Sequence, residues 1–271
     1  MFLILLKKFD SFSRSCCRWC VDHAGVTLLV LLILSFGIKF TVWRLDPSVS
    51  RDASLYLYMV HNWHDTGVFP QSWIPPMLFC LMRGGMALGL NAELSGVLIN
   101  LLMGSFITLA GYGITLESTQ SKKIALLAAV FFAFHPSITD LSHEVQRDVP
   151  YLCLAGTSAW LAVAGLRRKK WFLWAASGAV AALSFMTRFE TAELFPLVFA
   201  ALLVCALTKT VRWKNALGYG MSFGGFFVIA IAAFIWISGY YQIFSEYSNY
   251  YRTKFVKVTN LDESENKKGG Q

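Results

Sequence analysis

Two Arg-Asp pairs stand out in a chain that contains few charged residues. Arg51-Asp52 follows the first long apolar segment, and Arg147-Asp148 precedes a later one. A carboxylate held at the rim of a membrane cavity could act as a general base towards an acceptor hydroxyl, if it lies about 2.6–3.2 Å from the proton that it removes. A neighbouring guanidinium could bind an anionic leaving group, because its planar fork matches phosphate oxygens. The pattern therefore favours a group-transfer site with Asp52 and Asp148 as its acids.

Each aspartate also has a structural explanation. An aspartate near a helix N-terminus accepts backbone N–H bonds and interacts favourably with the helix dipole, which contributes about 0.5 to 2 kcal/mol. Either residue taken alone fits that explanation, and pairing with nearby acids is the corresponding explanation for the arginines. In the functional interpretation, Arg188 with Arg51 or Arg147 would neutralise a lipid phosphate. The remaining candidates for substrate contact are Tyr56, His61, Glu144 and Glu190.

Two clusters contain residue types that bind metals. His61, His64 and Asp65 have a spacing that could bind a divalent ion from one helix face, and the segment CCRWCVDH over residues 16–23 contains three cysteines and a histidine. Structural zinc sites usually combine two ligand pairs separated by a longer loop, which this segment lacks. Interfacial polar residues and reduced thiols are the commoner explanations. We therefore expect no metal site and no required cofactor, although a divalent cation is compatible with the chain.

The composition indicates a membrane protein. Of the 271 residues, 56% are hydrophobic and only 15% are charged, whereas about a quarter of the residues in a soluble domain are charged. The apolar residues form blocks long enough to cross a bilayer, so the sequence predicts an all-α bundle of about seven transmembrane helices. We assign one membrane domain to residues 1–239 and an interfacial to polar tail to residues 240–271. The predicted spans are 24–43, 94–116, 124–139, 149–166, 171–187, 192–207 and 215–239.

The formal net charge of +8 is explained by topology. If the N-terminus is cytoplasmic, thirteen lysines and arginines fall in the inside segments and five or six fall at the outside, which is the positive-inside asymmetry. This distribution argues against a nucleic-acid partner. We expect an integral membrane protein, most simply of the bacterial inner membrane, with its N-terminus in the cytoplasm. Both Arg-Asp pairs then lie on the extracytoplasmic side.

The first outside segment, residues 44–93, is predicted to contain interfacial helices. Tyr56 and Val60 recur at helical spacing, and Gly67 ends that pattern. Pro75-Pro76 then begin an apolar helix that is too short to span comfortably. Asn91 can cap the next span.

Three segments follow one another in a specific order. The first is SRDASLYLYMVHNWHDTGVFPQSWIPPML, with an acid just past the first span, a tyrosine and a proline-containing helix start. The second is LLAAVFFAFHPSITDLSHEVQRDVPYL, with a span that closes in a proline and a second outside acid. The third is WFLWAASGAVAALSFMTRFET, a glycine- and alanine-rich span that ends in Thr-Arg. In this order they resemble GT-C glycosyltransferases that use polyprenyl-phosphate sugars, among them the protein O-mannosyltransferases and the aminoarabinose transferase that acts on lipid A.

The resemblance implies a function for both aspartates. Asp52 would match the catalytic base of the family and Asp148 its second essential acid. The implied reaction is an inverting transfer, in which an acceptor oxygen on a lipid, glycan or protein attacks the anomeric carbon and polyprenyl phosphate leaves. The family uses no nucleotide sugar and usually no obligatory metal.

The chain also departs from the resemblance. Family members generally have more spans, and many add a soluble C-terminal domain, so this chain is a minimal member, works with a partner subunit, or is a truncated product. The alternative from another class is a non-catalytic membrane subunit or carrier that recognises a polyprenyl-phosphate lipid. Carriers tend to place ionisable residues near mid-membrane within interrupted helices. Here the acids lie at the predicted outer rim, which favours the transferase.

Overall fold

The computed structural model describes Ser15 and residues 18–47, 49–69 and 74–238, and these residues are helical almost throughout, with no strand among them. The predicted all-α bundle is therefore confirmed. The cysteines Cys16 and Cys17 and the tail 240–271 lie outside the described residues. The helices are α1 (Ala24–Leu45), α2 (Arg51–Thr66), α3 (Met77–Ala87), α4 (Ala92–Thr119), α5 (Lys122–Ala133), α6 (Pro136–Ser142), α7 (Asp148–Arg168), α8 (Trp171–Phe185), a 3₁₀ helix (Phe189–Glu193), α9 (Leu194–Leu207) and α10 (Trp213–Ser238).

Five helices in the described part of the chain are long and apolar enough to cross a membrane. They are α1, α4, α7, the continuous helix Phe189–Leu207 and α10. A sixth arises if α5 and α6, which meet at a bend of 48°, form one span. Helix α8 has 15 residues, which at about 1.5 Å per residue is shorter than a hydrocarbon core of about 30 Å. The number of seven spans therefore stays a prediction.

The helices of the first predicted outside segment begin and end where the sequence indicates. Helix α2 ends at Gly67, which has a φ of 71° in the left-handed region that glycine tolerates best. Helix α3 follows Pro76, and the side chain of Asn91 caps α4 by accepting a hydrogen bond of 2.7 Å from the backbone N–H of Leu94. Capping groups therefore fix the ends of the elements that precede the second long span.

Helix α4 lies at the centre of the first half of the bundle, where it packs against α1, α3, α5 and α7. The predicted interfacial helices α2 and α3 rest on its first half through a buried apolar cluster that includes Tyr56, Val60, Phe79 and Leu101. The backbone N–H of Met77 also donates to the carbonyl of Met186 at 2.9 Å. This bond ties the start of α3 to the turn that follows α8.

A second apolar cluster holds α7, α8, α9 and α10 together. Its aromatic centre includes Trp174 stacked on Tyr219, with 5.5 Å between the ring centroids. At Gly178 a Cβ atom would collide with the backbone carbonyl of Phe223, so only glycine allows α8 and α10 to approach this closely. This cluster fixes the turn between α8 and the 3₁₀ helix, which carries Arg188.

At the other end of α7, an ion-pair cluster joins α7 to α4. The carboxylate of Glu117, whose side chain is 1% exposed, accepts hydrogen bonds from the guanidinium groups of Arg167 and Arg168. The arginine side chains keep 44% and 54% of their surface exposed. This arrangement satisfies a buried carboxylate while its partners remain in contact with solvent or headgroups.

Candidate active site

A polar cavity of about 220 Å³ lies between the start of α2 and the start of α7. The structure therefore brings both predicted acids, Asp52 and Asp148, to the wall of one cavity, although they belong to helices far apart in the chain. Tyr56 lies one turn after Asp52 and faces the same space. The lining residues are Ser50, Arg51, Asp52, Tyr56, Gln146 and Asp148.

The carboxylate of Asp52 lies in the first turn of α2 and is exposed. The helix is capped by its neighbour instead, because the Ser50 hydroxyl accepts the backbone N–H of Ala53 at 3.3 Å. No side chain in the described ranges forms a hydrogen bond or ion pair with the Asp52 carboxylate. Capping therefore does not explain this aspartate, although its charge still interacts favourably with the helix dipole.

The carboxylate of Asp148 is held by an arginine. Arg188 donates one terminal N–H to Asp148 Oδ1 and the other to Glu190 Oε1, the latter at 2.9 Å. These contacts raise the pKa of the Arg188 guanidinium further above its usual range, mainly through the hydrogen bond to Glu190. No side chain caps α7, so Asp148 does not serve as a cap either. Its side chain remains 37% exposed, which leaves part of the carboxylate open to the cavity.

Tyr56 forms the buried wall of the cavity and is 3% exposed. Its ring packs edge-on against Phe79, with 5.9 Å between centroids, and the Arg147 guanidinium lies 5.6 Å from the centre of the Tyr56 ring. Burial raises the pKa of the Tyr56 phenol, and the nearby Arg147 offsets part of that rise. Tyr56 is therefore a neutral phenol at physiological pH, suited to hydrogen bonding and to orienting Arg147 by a cation–π contact.

Glu144 supports the cavity from behind. Its carboxylate accepts a hydrogen bond from Gln146 Nε2 at 2.7 Å, and its backbone carbonyl accepts one from Asn100 Nδ2 at 2.5 Å. Asn100 is fully buried in α4, so these bonds fasten the segment before α7 to the centre of the bundle. Glu144 lines a separate, smaller cleft beside His143 and is absent from the lining of the cavity described here.

His61 lies apart from the cavity. Its Nε2 is 3.4 Å from Asp65 Oδ2 on the same helix, and both side chains are more than half exposed. Within the part of the chain that the structure describes, no three His, Cys, Asp or Glu residues are placed to hold a metal ion, and this includes His61, His64 and Asp65. The cysteine cluster stays outside this statement, because Cys16 and Cys17 are not described. Independence from metals stays a prediction.

Two cavity residues, Ser50 and Gln146, were missed by the sequence analysis. Ser50 has a recognisable signal, since a serine directly before a helical pattern is a preferred N-cap. With Ser50 as the N-cap of α2, Asp52 is not needed for capping. Gln146 has no comparable signal, because a glutamine two residues before a helix is common in any loop.

The description of the family whose model matches residues 74–236 reads dolichyl-phosphate-mannose-protein mannosyltransferase. The matched region is more than half of the 271-residue chain. It contains Asp148 and Arg188, whereas Asp52 precedes it. A comparison with curated proteins gives no significant match.

Proposed function

Because the chain belongs to the dolichyl-phosphate-mannose-protein mannosyltransferase family, and is therefore a membrane glycosyltransferase of the GT-C type, we propose that it transfers a sugar from a polyprenyl-phosphate donor to an acceptor hydroxyl or amine at the cavity between α2 and α7. Family membership also favours this function over the alternative of a non-catalytic subunit or carrier. The observation that carries the proposal is the convergence of Asp52 and Asp148 on one cavity.

Asp52 is the base in this proposal. A base must have a lone pair available when the acceptor arrives, and the exposed Asp52 carboxylate has no side-chain partner among the described residues. It removes the proton of the acceptor as the acceptor oxygen or nitrogen attacks the anomeric carbon of the donor. The bond between that carbon and the phosphate oxygen breaks with its electron pair on the phosphate. Attack and departure on opposite faces give inversion.

The leaving phosphate is bound by the arginines that are not already paired with carboxylates. Both terminal nitrogens of Arg188 bind acids, so its first task is to hold Asp148 at the cavity wall. Arg51 lines the cavity, and Arg147 is held beside it on the ring of Tyr56. A guanidinium fork at either position would stabilise the phosphate charge that develops as the sugar departs. Asp148 in turn orients the acceptor or the base.

The charge asymmetry of the sequence supports the orientation that we propose. We place the cavity on the extracytoplasmic side and the N-terminus in the cytoplasm, in a bacterial inner membrane. The acceptor is a lipid, a glycan or a protein, and the protein works alone or with a partner subunit. No step needs a metal, since the protein's own arginines supply the positive charge.

The test is sugar transfer from a panel of labelled polyprenyl-phosphate sugars, mannose included, in membranes that contain the protein. Asp52→Asn keeps the shape of the side chain and removes the base, so we expect transfer to fall by about a thousandfold or more.

Asp65→Asn is the matched control, because Asp65 lies on the same helix but is exposed and pairs with His61 away from the cavity. It should transfer sugar at the wild-type rate. Transfer that persists in the Asp52→Asn protein, or a loss that is equal in both variants, would contradict the assignment of the base. The absence of transfer from every donor by the folded wild-type protein would contradict the proposed donor class.

A further inference from the structure

A second cavity, of about 260 Å³, lies far from the polar cavity and is lined by apolar residues only. It is formed by the middle of α9 and the first two and a half turns of α10. Because α9 runs away from Arg188, this groove opens at the end of the bundle that carries the turn 208–212. The lining residues are Phe199, Leu202, Leu203, Trp213, Ala216, Leu217, Gly220 and Met221.

The shape of the groove suits an extended hydrocarbon chain. On α10 it follows one helix face from Trp213 to Met221, which is about 12 Å at the rise of an α-helix. Its floor is formed where Gly220 passes Phe199, and a Cβ atom at Gly220 would lie only 3.0 Å from the Phe199 ring. A larger residue at Gly220 would therefore reduce the depth of the groove.

The end of the groove at Trp213, its mouth, lies within a basic stretch of the chain. Lys209, Arg212 and Lys214 flank Trp213 and are all exposed, and residues 194–238 contain no Asp or Glu. None of the three forms an ion pair with any other residue that the structure describes. Trp213 is 54% exposed at the same level, as expected for an aromatic residue at a membrane–water interface.

We infer that this groove is a binding site for an anionic phospholipid, with an acyl chain between α9 and α10 and the headgroup phosphate on Lys209, Arg212 and Lys214. The charge of the mouth selects an anionic headgroup over a zwitterionic one, since each cation near a membrane surface attracts acidic lipid. The site is distinct from the proposed donor site, because it extends towards the turn 208–212, away from Arg188, and shares no lining residue with the polar cavity. The sequence predicts this end to be cytoplasmic, where acidic lipids would reach it from the inner leaflet.

Native mass spectrometry of the full chain in detergent tests the inference, with phosphatidylglycerol and phosphatidylcholine of identical acyl chains as the probes. We expect phosphatidylglycerol to be retained at least tenfold more tightly, and an excess of inorganic phosphate not to displace it. The triple variant Lys209→Gln, Arg212→Gln, Lys214→Gln should lose this preference. Each cation removed should weaken phosphatidylglycerol binding about fivefold. The control Lys122→Gln, Lys123→Gln, Lys170→Gln changes three exposed lysines of the same end and should keep it.

A second pair of variants tests the groove separately from the charge. Leu203→Trp fills the groove, whereas Val204→Trp adds the same side chain at a neighbouring exposed position that does not line it. Only Leu203→Trp should weaken phosphatidylglycerol binding severalfold. Equal retention of the two lipids by the wild-type protein, or a lipid preference that survives the basic-residue triple, would overturn the inference. Equal binding by the two tryptophan variants would overturn the placement of the acyl chain.

Discussion

The two ends of α7 each carry a cluster of carboxylates and arginines, and the clusters differ in how completely the charges are paired. At the C-terminal end of α7, the far cluster contains Glu117, which is 1% exposed and bound by Arg167 and Arg168. At the N-terminal end of α7, the near cluster contains Asp148, which is 37% exposed and shares Arg188 with Glu190. Asp52, in the same cluster, has no side-chain partner in the described part of the chain. The near cluster borders the polar cavity of about 220 Å³.

This difference separates a structural ion pair from a site that can accept a substrate. A buried carboxylate with two arginine partners has little capacity left for a third group, and its removal costs stability. A carboxylate that is exposed and incompletely paired contributes little to stability. It remains available to accept a proton or a hydrogen bond from a ligand. The near cluster therefore suits the transfer that we propose, and the far cluster holds α4 to α7.

Among the residues that hold the two clusters together, the largest effect is expected at Arg188, because its loss would leave Asp148 without the group that holds it. We expect Arg188→Met to lower the maximal rate of sugar transfer about a hundredfold with a smaller change in the apparent donor affinity. Arg188→Lys should recover part of the rate, since a lysine can still bind one carboxylate. Rates in membranes with matched protein content measure this.

Arg83→Met controls for the loss of an arginine on the neighbouring α3, outside the lining of the polar cavity. Its rate should equal that of the wild type. If Arg83→Met and Arg188→Met reduce the rate equally, the specific role of Arg188 is wrong.

At the far cluster the effect should fall on stability. Glu117→Gln removes the negative charge that both arginines share and places an NH2 donor against one of them, so the free energy of unfolding should fall by about 1–3 kcal/mol. Transfer per folded molecule should not change. Thermal unfolding in detergent measures the first effect. Glu93→Gln, an exposed change in the first turn of the same helix, should have a much smaller one. A Glu117→Gln protein that is stable but inactive would reverse the comparison.

The smallest effect is expected at Ser50, which caps the helix that carries Asp52. Ser50→Ala should reduce stability by about 1 kcal/mol or less and slow transfer a few-fold, because the first turn of α2 then frays. Ser54→Ala lies one turn later, where the hydroxyl donates to the Ser50 carbonyl at 3.1 Å, and should leave the rate almost unchanged. Hydrogen exchange at the start of α2 would show the fraying directly.

Much of the fold could be predicted, because the bilayer thickness sets the length of a span and capping residues mark helix ends within a few residues. The helix class, the end of α2 at Gly67 and the Asn91 cap are confirmed. The number of spans could not be settled, because α8 has only 15 residues and the bend between α5 and α6 depends on tertiary packing. Hydropathy measures how apolar a segment is, and it does not measure how far the folded helix extends.

The candidate site was less predictable, because it depends on contacts between distant segments. The sequence identified both aspartates, and the structure places them at one cavity. It did not reveal that both terminal nitrogens of Arg188 bind carboxylates, since that depends on how α8 packs against α7 and α10. His61 has suitable chemistry, yet it lies on the exposed face of α2 with Asp65.

The most direct test of the account is a double-mutant cycle on Asp52→Asn and Asp148→Asn, with sugar transfer measured in the same membranes. If the two acids act as one unit on one cavity, each single variant should lose nearly all transfer and the double variant should be no worse than the poorer single. Thermal stability should stay close to wild type in all three. Losses that multiply in the double variant, or wild-type transfer by Asp52→Asn, would contradict a shared site.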